Sequence, residues 1–542
     1  MKLKKILTLC MAGISACAFA QTHVEGEEFY KAGQFNNAYE LLMRSLNNPQ
    51  TDKAVSDYYL GMIEYKAKDY AKSAEYFKQG VAANPEYGFN YVGQGLLKLR
   101  EGDKKAAENF FKEAQKHTKK SASLEIAIAN AYYTVDAVKY AKEIEKQVDK
   151  ARKYDMQSPD IYVFEGDVSK DKAYNSPDQL SRNSIIGNAA SSYEMAINYM
   201  NDFTPAYVKY ADLFTDIQPD YAITMLNRLM SQNPNSALGM RELARAYENK
   251  GDYKNAVVQY DKYVKNPSHF KSDETKYAFL LYYNNEFQKG YDYATSLLKQ
   301  DPSDFIAMRY QLMNATKIPA LEGNLLAMAD KLYALHKKDP KKNGLSYLDY
   351  EIISDQFNKN GRPDDAIAVI EEGIKDFPDY NTFNYVLSDL YSNKRDFAKA
   401  ADLYSKFLSK VKNPAYGDYI LEAFYGYLGA IQNRETDMAS FNKYADLATA
   451  AANNAIKADV TQYKPYYLLG QIDIFKAPNE TAGKSAAVQN FEKAVSLLEQ
   501  TPDPSKFAAD AKEMYGYLNA YYASKGDAAK ATEYQKKYNS MN

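Results

Sequence analysis

Residues 59–85 decide the fold, and they read YLGMIEYKAKDYAKSAEYFKQGVAANP. Apolar and small residues recur there at three- and four-residue intervals, the period of a helix with one buried face. Leu60 and Gly61 stand in the middle of a first predicted helix, and Phe77 and Gly80 face inward from a second. The polar turn Lys68-Asp69-Tyr70 separates the two helices, and Asn84-Pro85 ends the second. The segment therefore predicts helix, turn, helix, turn.

The same pattern returns 34 residues later. Gly61 is matched by Gly95, Phe77 by Phe111, and Gly80 by Ala114. Further copies lie around Leu243–Tyr263, Tyr350–Pro378, Tyr391–Phe407, Leu469–Ala494 and Tyr515–Tyr538, with weaker copies between them. A fixed period of this length is the signature of a repeat protein, in which each unit buries its apolar face against its neighbours. About 13 or 14 repeats account for nearly all of the 542 residues.

These residues resemble the tetratricopeptide repeat (TPR) family. Its signature has a small residue in helix A, a small residue early in helix B, an aromatic residue four positions later and another small residue after three more. The resemblance implies an all-α, right-handed superhelical solenoid that runs continuously over residues 21–542. The repeats match less well near residues 123–200, 305–340 and 415–460.

The aromatic composition fits the same interpretation. The chain has 51 Tyr and no Trp. The family usually places Trp at the fourth position of helix A, whereas this chain has Tyr there, at Tyr91, Tyr350, Tyr466 and Tyr515. A ring between small residues fills the wedge between neighbouring helices and buries a large apolar area. We therefore interpret most of the tyrosines as packing residues.

Three polar or proline-containing stretches interrupt the repeats. They are residues 167–188, residues 314–324 with Ile318-Pro319, and residues 476–485 with Ala477-Pro478-Asn479. Insertions in repeat proteins usually form loops on one face, where binding residues can be placed. We expect loops at these three places.

The N-terminus has the features of an export signal. Lys2, Lys4 and Lys5 precede a short apolar stretch, and Ala18-Phe19-Ala20 supplies the small residues that signal peptidase requires. Cleavage between Ala20 and Gln21 would make residues 1–20 a signal peptide. The apolar stretch is too short to span a membrane comfortably, and no later run is long enough to do so.

A lipoprotein signal is the alternative at the same place. Ile14-Ser15-Ala16-Cys17 fits the pattern in which Cys17 becomes the lipidated first residue. The protein would then be attached to the outer membrane, whereas cleavage after Ala20 would leave it in the periplasm. Both alternatives predict an exported protein of the bacterial envelope.

Composition argues against several kinds of site. The only two cysteines, Cys10 and Cys17, lie within the predicted signal, and the four histidines share no ligand spacing. Hence we expect no disulfide framework, no metal site and no cofactor. Without the three lysines of residues 1–20, 65 basic residues face 70 acidic ones, and no basic stripe appears. Nucleic-acid binding is not expected.

No catalytic motif stands out. Gly483-Lys484-Ser485 looks like the end of a phosphate-binding loop, but Pro478 occupies the place where that motif needs glycine. Carboxylate pairs such as Asp364-Asp365 fall at predicted helix starts, where negative charge stabilises the helix dipole. We expect that the chain is not an enzyme.

The family resemblance places ligand contacts on helix A, at its second, fifth, ninth and twelfth positions. Carried over by register, these give an apolar partner groove at 58–99 that continues into later repeats. Its residues are Tyr58, Met62, Tyr65, Val92, Leu96, Leu99, Arg241, Arg245, Phe279 and Tyr282. The same register also gives Tyr385, Asp389, Tyr467 and Gln471 further along the chain. A large apolar patch of this kind is typical of a partner site. The alternative is that these residues are core.

Arg241 and Arg245 lie one helical turn apart, which would suit a carboxylate or an acidic peptide. The family members that clamp chaperone tails also need an asparagine and lysines from adjacent helices, and these are missing at matching positions. We prefer the interpretation that the two arginines form an exposed charged pair.

The sequence thus predicts a non-catalytic scaffold or adaptor of the bacterial envelope, which binds a peptide or protein partner in the solenoid groove. The alternative is an outer-membrane-associated lipoprotein that binds glycans, because some starch-binding lipoproteins of similar length also carry TPR helices. Their repeats are interrupted by large non-repeat regions, and Trp, a favoured ring for sugar stacking, is absent here.

Overall fold

A computed structural model describes residues 23–476 and 481–540, and for residues 481–485 it describes the backbone only. Over this part of the chain there are 28 α-helices and no strand, which confirms the all-α prediction. The helices are α1 (His23–Lys31), α2 (Phe35–Ser45), α3 (Lys53–Lys66), α4 (Tyr70–Ala83), α5 (Phe89–Arg100), α6 (Lys104–His117), α7 (Ala122–Asp136), α8 (Ala141–Tyr154), α9 (Pro159–Tyr174), α10 (Gln179–Tyr199), α11 (Thr204–Phe214), α12 (Pro219–Gln232), α13 (Ala237–Asn249), α14 (Tyr253–Tyr263), α15 (Lys271–Tyr283), α16 (Phe287–Gln300), α17 (Phe305–Ala315), α18 (Leu325–Lys338), α19 (Tyr347–Lys359), α20 (Pro363–Asp376), α21 (Thr382–Asn393), α22 (Phe397–Leu408), α23 (Tyr416–Asn433), α24 (Met438–Ala458), α25 (Lys464–Lys476), α26 (Thr481–Leu498), α27 (Ala508–Ser524) and α28 (Ala528–Asn539).

The turn inside each helical pair is built from two residues with separate tasks. The first takes a left-handed backbone, as Gly102 does with a φ of 86°, and glycine adopts this conformation without steric cost. The second is an aspartate that caps the next helix: Asp103 accepts a hydrogen bond from the backbone N–H of Ala106. Lys68 and Arg395 take the glycine's place in other repeats, with φ values of 63° and 61°.

Small residues allow the helices of a repeat to approach closely. The ring of Phe77 lies between Gly61 of α3 and Gly93 of α5, and a Cβ atom on either glycine would come within 2.5 Å of it. No side chain could be added there without moving the ring or the helix. The predicted role of the small residues on helix A is therefore confirmed at this repeat.

The tyrosines combine packing with a hydrogen bond. Tyr350 and Tyr515 are almost completely buried, as expected for the position that the family gives to Trp. The Tyr350 hydroxyl donates to Asp376 at 2.6 Å, and the Tyr515 hydroxyl donates to Glu499 at 2.9 Å. A buried phenol needs such an acceptor, so each ring fixes a carboxylate as well as filling space.

The chain divides into two compact units, which we call unit 1 (residues up to Asn314) and unit 2 (residues from Ala315). In both, consecutive helices form hairpins, from α1 with α2 to α27 with α28. Alternate helices also pack together, as α3 with α5 in unit 1 and α23 with α25 in unit 2. This is the stacking of helical pairs that a repeat solenoid requires.

One of the three expected loops is wrong. Residues 167–188 are mostly helical, because α9 continues to Tyr174 and α10 begins at Gln179. The side chain of Asp178 accepts a hydrogen bond from Ser181 N–H and thereby starts α10, whose first half carries polar residues toward solvent. The second stretch contains a short 3-10 helix at Pro319–Asn324. In the third, residues 477–480 lie outside the described residues.

Candidate functional site

The first hairpin of unit 1 contacts parts of the chain that follow it by more than about 170 residues. Helix α1 packs against α11. The rings of Phe29 and Phe270 meet edge to face, with centroids 5.4 Å apart, and both residues are buried. The Arg44 guanidinium lies over the Phe270 ring and donates a hydrogen bond to the His269 carbonyl at 3.0 Å. We call this set of contacts, together with the polar contacts of Gln34, the closure of unit 1.

Gln34 adds a polar part to the closure. Its amide donates to Glu242 at 2.6 Å and accepts from Arg241 at 3.1 Å, across 208 and 207 residues of chain. Arg241 also donates to Asp273 at 2.6 Å. Burial works against the charge of Arg241, but the contacts with Asp273 and Glu242 outweigh it and raise its pKa. The arginine therefore stays charged inside the closure.

Arg245 belongs to the same network. It donates to Glu242 at 2.8 Å and to Asp212 at 3.4 Å. The interpretation of Arg241 and Arg245 as a charged pair holds, but both are only part-exposed, and their donors already meet carboxylates of this chain. An acidic peptide would have to displace Asp212, Glu242 or Asp273.

Unit 1 also contains a partly open cavity of about 480 Å³, which we call the unit 1 cavity. Its wall comes from the first hairpin and from residues in or next to α3, α5, α7, α9 and α11. Aromatic side chains form much of it; they are Tyr30, Phe35, Tyr58, Tyr59, Tyr87, Phe89, Phe164 and Phe203. Polar and apolar groups contribute about equally to its surface, and a concave space of this size lies in the range of small-molecule sites.

Charged groups in the cavity wall are arranged as ion pairs. Lys31 lies 3.0 Å from Glu27 and 3.4 Å from Asp160. Burial opposes its charge, yet these two carboxylates raise the pKa of Lys31. Lys209 contacts both oxygens of Asp167, at 2.8 and 3.0 Å. These pairs join α1 to α9 and α9 to α11, and so they hold the cavity wall together.

The six predicted groove residues between 58 and 99 are buried in unit 1. Tyr58 is 6% exposed, and the group comprises Tyr58, Met62, Tyr65, Val92, Leu96 and Leu99. Tyr58 packs on Phe89 and Tyr59, with ring centroids 5.4 and 5.0 Å away. The expectation of an open apolar groove here is corrected: most of this surface is core, and Tyr58 alone of the six lines the unit 1 cavity. The neighbouring repeats cover the apolar stripe that a single repeat leaves exposed.

Phe279 and Tyr282, the two predicted groove residues of α15, are half-buried in an aromatic cluster. Phe279 contacts Tyr283 and Tyr310, with ring centroids 4.7 and 5.6 Å away. Tyr282 meets Phe287 at 5.6 Å. These rings pack on each other along α15 to α17, so packing accounts for much of their surface.

Unit 2 keeps aromatic and acidic side chains exposed on alternate helices. Tyr385 of α21 is 42% exposed, and Asp389 lies one turn further along the same exposed face. Tyr427 of α23 is half-buried and Glu513 of α27 is exposed. We call Tyr385, Asp389, Tyr427 and Glu513 the unit 2 face. Tyr385 and Asp389 are among the helix-A positions that register gave, whereas Tyr427 and Glu513 are not.

Hydrogen bonds link α23, α25 and α27 beside this face. The Tyr427 hydroxyl donates to Gln471 at 3.4 Å, and Gln471 donates to Glu513 at 2.7 Å. The Tyr467 hydroxyl donates to the same carboxylate at 2.6 Å. Burial, together with the charge of Glu513, raises the pKa of Tyr427 to about 12. The phenol is thus neutral at physiological pH, and the network is a set of neutral donors on one carboxylate.

The acidic groups of the face lack cationic partners within the described residues. Asp389 accepts from the Asn393 amide at 3.2 Å, and Glu513 accepts only from Gln471 and Tyr467. Elsewhere in unit 2 carboxylates are paired, for example Asp402 with Lys443 and Asp510 with Lys464. The face therefore carries net negative charge beside aromatic rings.

The cavity residues from α7, α9 and α11 were missed because their repeats match the family poorly. Asn130, Asp160, Asp167 and Lys209 lie in or next to the stretch near 123–200 that weakened the register. A signal was present in the sequence, since charged residues stand on the inward positions of these helices where the strong repeats have apolar ones.

The carboxylate pair Asp364-Asp365 lies at the start of α20, where each carboxylate has its own cation. Asp364 pairs with Lys394, and Asp365 lies 2.6 Å from Arg362.

In the described ranges no group of three or more His, Cys, Asp and Glu side chains could hold a metal ion. No described helix is both long and apolar enough to span a membrane. Cys17, Ala20 and Gln21 lie outside the described residues.

Comparison with known proteins places the repeat in a family. Residues 357–416, from the end of α19 to the start of α23, match the family model of the tetratricopeptide repeat. No curated protein matches the chain.

Several solved structures resemble the chain at low identity. The C-terminal part of a TPR protein from Cytophaga hutchinsonii is 15% identical, covers 50% of this chain and 95% of its own, and gives a TM-score of 0.38. A TPR protein from Parabacteroides merdae is 14% identical over 50% of this chain and 98% of its own, with a TM-score of 0.31. Yeast Tom70 is 14% identical, covers 95% of this chain and 98% of its own, and gives a TM-score of 0.29. Likenesses this weak say nothing about what the chain binds.

The match spans α20, α21 and α22, close to two repeats of 34 residues, and similar helical pairs and turns recur through both units. Residues 357–416 thus match the tetratricopeptide repeat, and the described residues of both units form an all-α helical-repeat fold of the same kind.

Proposed function

We propose that this protein is a non-catalytic scaffold of the bacterial cell envelope, and that it binds a basic segment of a protein partner on the unit 2 face. Proteins built from this repeat generally mediate protein–protein interaction and generally lack catalytic activity. The single observation that supports this choice of surface is the contrast in exposure. The apolar helix-A residues of unit 1 are buried, whereas Tyr385, Asp389 and Glu513 of unit 2 are exposed.

The chemistry of the face favours a partner segment with lysine or arginine. Asp389 and Glu513 have neutral hydrogen-bond partners only, so a cation that reaches them adds a charge pair without breaking one. Tyr385 exposes its ring one turn from Asp389, and a cation above an aromatic ring gains a further attraction. Such contacts mainly provide specificity and fast association.

A peptide array tests this surface. The full chain is applied to tiled peptides of equal length that differ in charge, and we expect binding to peptides with Lys or Arg near an aromatic or aliphatic residue. Asp389→Lys should weaken this binding about tenfold, because it replaces attraction with repulsion. The matched control is Asp379→Lys, an exposed aspartate in the turn before α21 that lies off the face.

The array can also contradict the proposal. If no peptide binds, or if Asp389→Lys and Asp379→Lys weaken binding equally, the unit 2 face is not the partner site. Retained helicity in both variants, measured by circular dichroism, is required before the binding data are interpreted.

The envelope location rests on residues 1–20 and has its own test. We expect the exported protein to begin at Gln21 when its N-terminus is sequenced. If the wild type incorporates labelled palmitate and Cys17→Ala does not, the lipoprotein alternative is correct and cleavage after Ala20 is wrong. An N-terminus at Met1 in a cytoplasmic fraction would contradict both.

A further inference from the structure

The unit 1 cavity has one cation without a carboxylate partner. Lys66 ends α3 and lines the cavity, and its ammonium lies over the ring of Phe35, 4.6 Å from the centroid. No ion pair joins it to any described residue, whereas Lys31 and Lys209 both have one. Burial and the nearby Lys209 ammonium lower the pKa of Lys66, against a smaller opposite effect of Asp167 and Asp171.

The two carboxylates nearest to Lys66 are occupied by other groups. Asp167 accepts from Lys209 and from the Tyr193 hydroxyl at 2.8 Å, and Asp171 accepts from the Tyr133 hydroxyl at 3.2 Å. The site therefore holds an ammonium that has no carboxylate partner among the described residues, on a side chain that is still exposed at the edge of the cavity. An unpaired cation beside a concave space attracts an anionic ligand.

Neutral donors with no partner surround the same space. Within the described part of the chain, the hydroxyls of Tyr30, Tyr58 and Tyr87 and the Asn130 amide form no hydrogen bond. None of these atoms is fully enclosed, so each can still reach a ligand or water. The carboxylates in the wall, by contrast, already accept hydrogen bonds. The cavity thus has spare donors and few spare acceptors.

The donors and the aromatic surface are arranged so that one molecule can use both. The Phe35 ring contacts Tyr30 as well as Lys66, with a centroid distance of 5.3 Å to Tyr30. Beyond them the rings of Tyr87 and Phe89 stack at 4.9 Å, and Tyr58 meets both. An anionic group fits beside Lys66 and Tyr30, and an apolar or aromatic body fits along Tyr58, Tyr87 and Phe89.

We infer that the unit 1 cavity is a binding site for a small aromatic anion, held by the Lys66 ammonium and the Tyr30 hydroxyl, with its ring system against Tyr58, Tyr87 and Phe89. This site is separate from the unit 2 face and does not depend on a protein partner. A volume of about 480 Å³ lies in the range of small-molecule sites.

Two fluorescent probes with the same ring system, one with a sulfonate and one without, test the site. The anion 8-anilinonaphthalene-1-sulfonate has the same ring system as neutral N-phenyl-1-naphthylamine. With the full chain we expect one sulfonate bound per molecule, at least about tenfold weaker binding in Lys66→Gln, and a smaller loss in Tyr30→Phe. The neutral probe should bind Lys66→Gln and wild type within about twofold.

Two further variants control for location and for general effects. Lys78→Gln removes an exposed lysine of α4 that does not line the cavity, and it should change nothing. Ala127→Phe places a ring inside the cavity and should abolish binding of both probes. Circular dichroism and a thermal melt establish that each variant is folded.

The inference is overturned by any of three results. The first is sulfonate binding that Lys66→Gln and Ala127→Phe leave unchanged, which would place the probe elsewhere. The second is an equal loss of both probes in Lys66→Gln, which would mean that charge is not recognised. The third is no saturable binding of the sulfonate to the wild type.

Discussion

Units 1 and 2 are built from the same helical pairs but use them differently. In unit 1 the first hairpin contacts residues more than 200 positions later, through Phe29, Gln34 and Arg44. In unit 2 the hydrogen bonds between helices join neighbouring repeats, for example Tyr463 with Asp510, 47 residues apart. A repeat protein is stabilised mainly by nearest-neighbour contacts, so unit 2 is the ordinary case. Unit 1 departs from it, because its first hairpin adds contacts far beyond the neighbouring repeat.

The largest expected effect comes from the apolar part of the closure. Phe29→Ala should cost about 4 kcal/mol, because it removes a buried ring and its edge-to-face contact with Phe270. Hydrogen exchange should accelerate both in α1 and around residues 263–271. In unit 2 the matched change is Phe491→Ala, at an equally buried ring, and its effect should stay within neighbouring repeats. Faster exchange in Phe29→Ala that is confined to α1–α3 would contradict the closure.

The polar part of the closure should have a smaller effect. Arg241→Met leaves Asp273 without its cation and leaves the almost fully buried Glu242 with Arg245 alone, at a cost of about 2 kcal/mol in the free energy of unfolding. The matched change in unit 2 is Lys443→Met, which breaks an exposed pair with Asp402 and should cost less than about 0.5 kcal/mol. Denaturant titrations compare the two. Equal losses would mean that the closure adds nothing beyond a surface ion pair.

Glu28 of α1 should make unit 1 sensitive to pH. Burial raises its pKa from 4.5 to about 7, and the charges of Glu25, Glu27 and Asp202 act in the same direction. The folded state therefore binds a proton more tightly than the unfolded state. The resulting stabilisation is present below pH 4.5 and is lost as pH rises through 7. Partial exposure reduces it to on the order of 2 kcal/mol.

Hydrogen exchange of α1 and α11 at pH 5 and pH 8 measures this effect. Exchange corrected for its intrinsic pH dependence should be slower at pH 5 in the wild type. Glu28→Gln should remove the difference, because the amide does not titrate. A difference that persists in Glu28→Gln would assign the pH dependence to another group.

Local turn changes should have the smallest effect and should not distinguish the units. Gly251 of unit 1 and Gly361 of unit 2 both have left-handed backbones, with φ values of 79° and 74°. Alanine at either position should cost about 1 kcal/mol. Thermal melts of the two variants should agree closely. A clear difference between the two melting temperatures would mean that the turns of the two units differ in stability.

Local features of the fold could be predicted from the sequence. The 34-residue spacing located the helical pairs, and Gly102 and Asp103 marked a turn whose conformation each residue type favours. These features depend on residues close together in the chain, which is why one sequence is sufficient to find them.

The candidate site could not be predicted in the same way. The register of the repeat showed which face of α3 carries Tyr58 and Met62, but it did not show whether another helix covers that face. Arg241 looked like part of an exposed pair because its partner Gln34 stands 207 residues earlier. Contacts at such separations leave no periodic signal in a single sequence, so the closure and the unit 1 cavity became visible only in three dimensions.

A cross-link between the two sides of the closure tests its existence most directly. Cys10 and Cys17 are the only cysteines, so after their replacement by serine the pair Gln34→Cys and Glu242→Cys carries the only thiols. The native side chains touch at 2.6 Å, and a short bis-maleimide should therefore link the cysteines within one chain in high yield. A pair at the same separation in unit 2, Asn324→Cys and Thr532→Cys, should not be linked. Absence of the 34–242 cross-link in the folded protein would contradict the closure of unit 1.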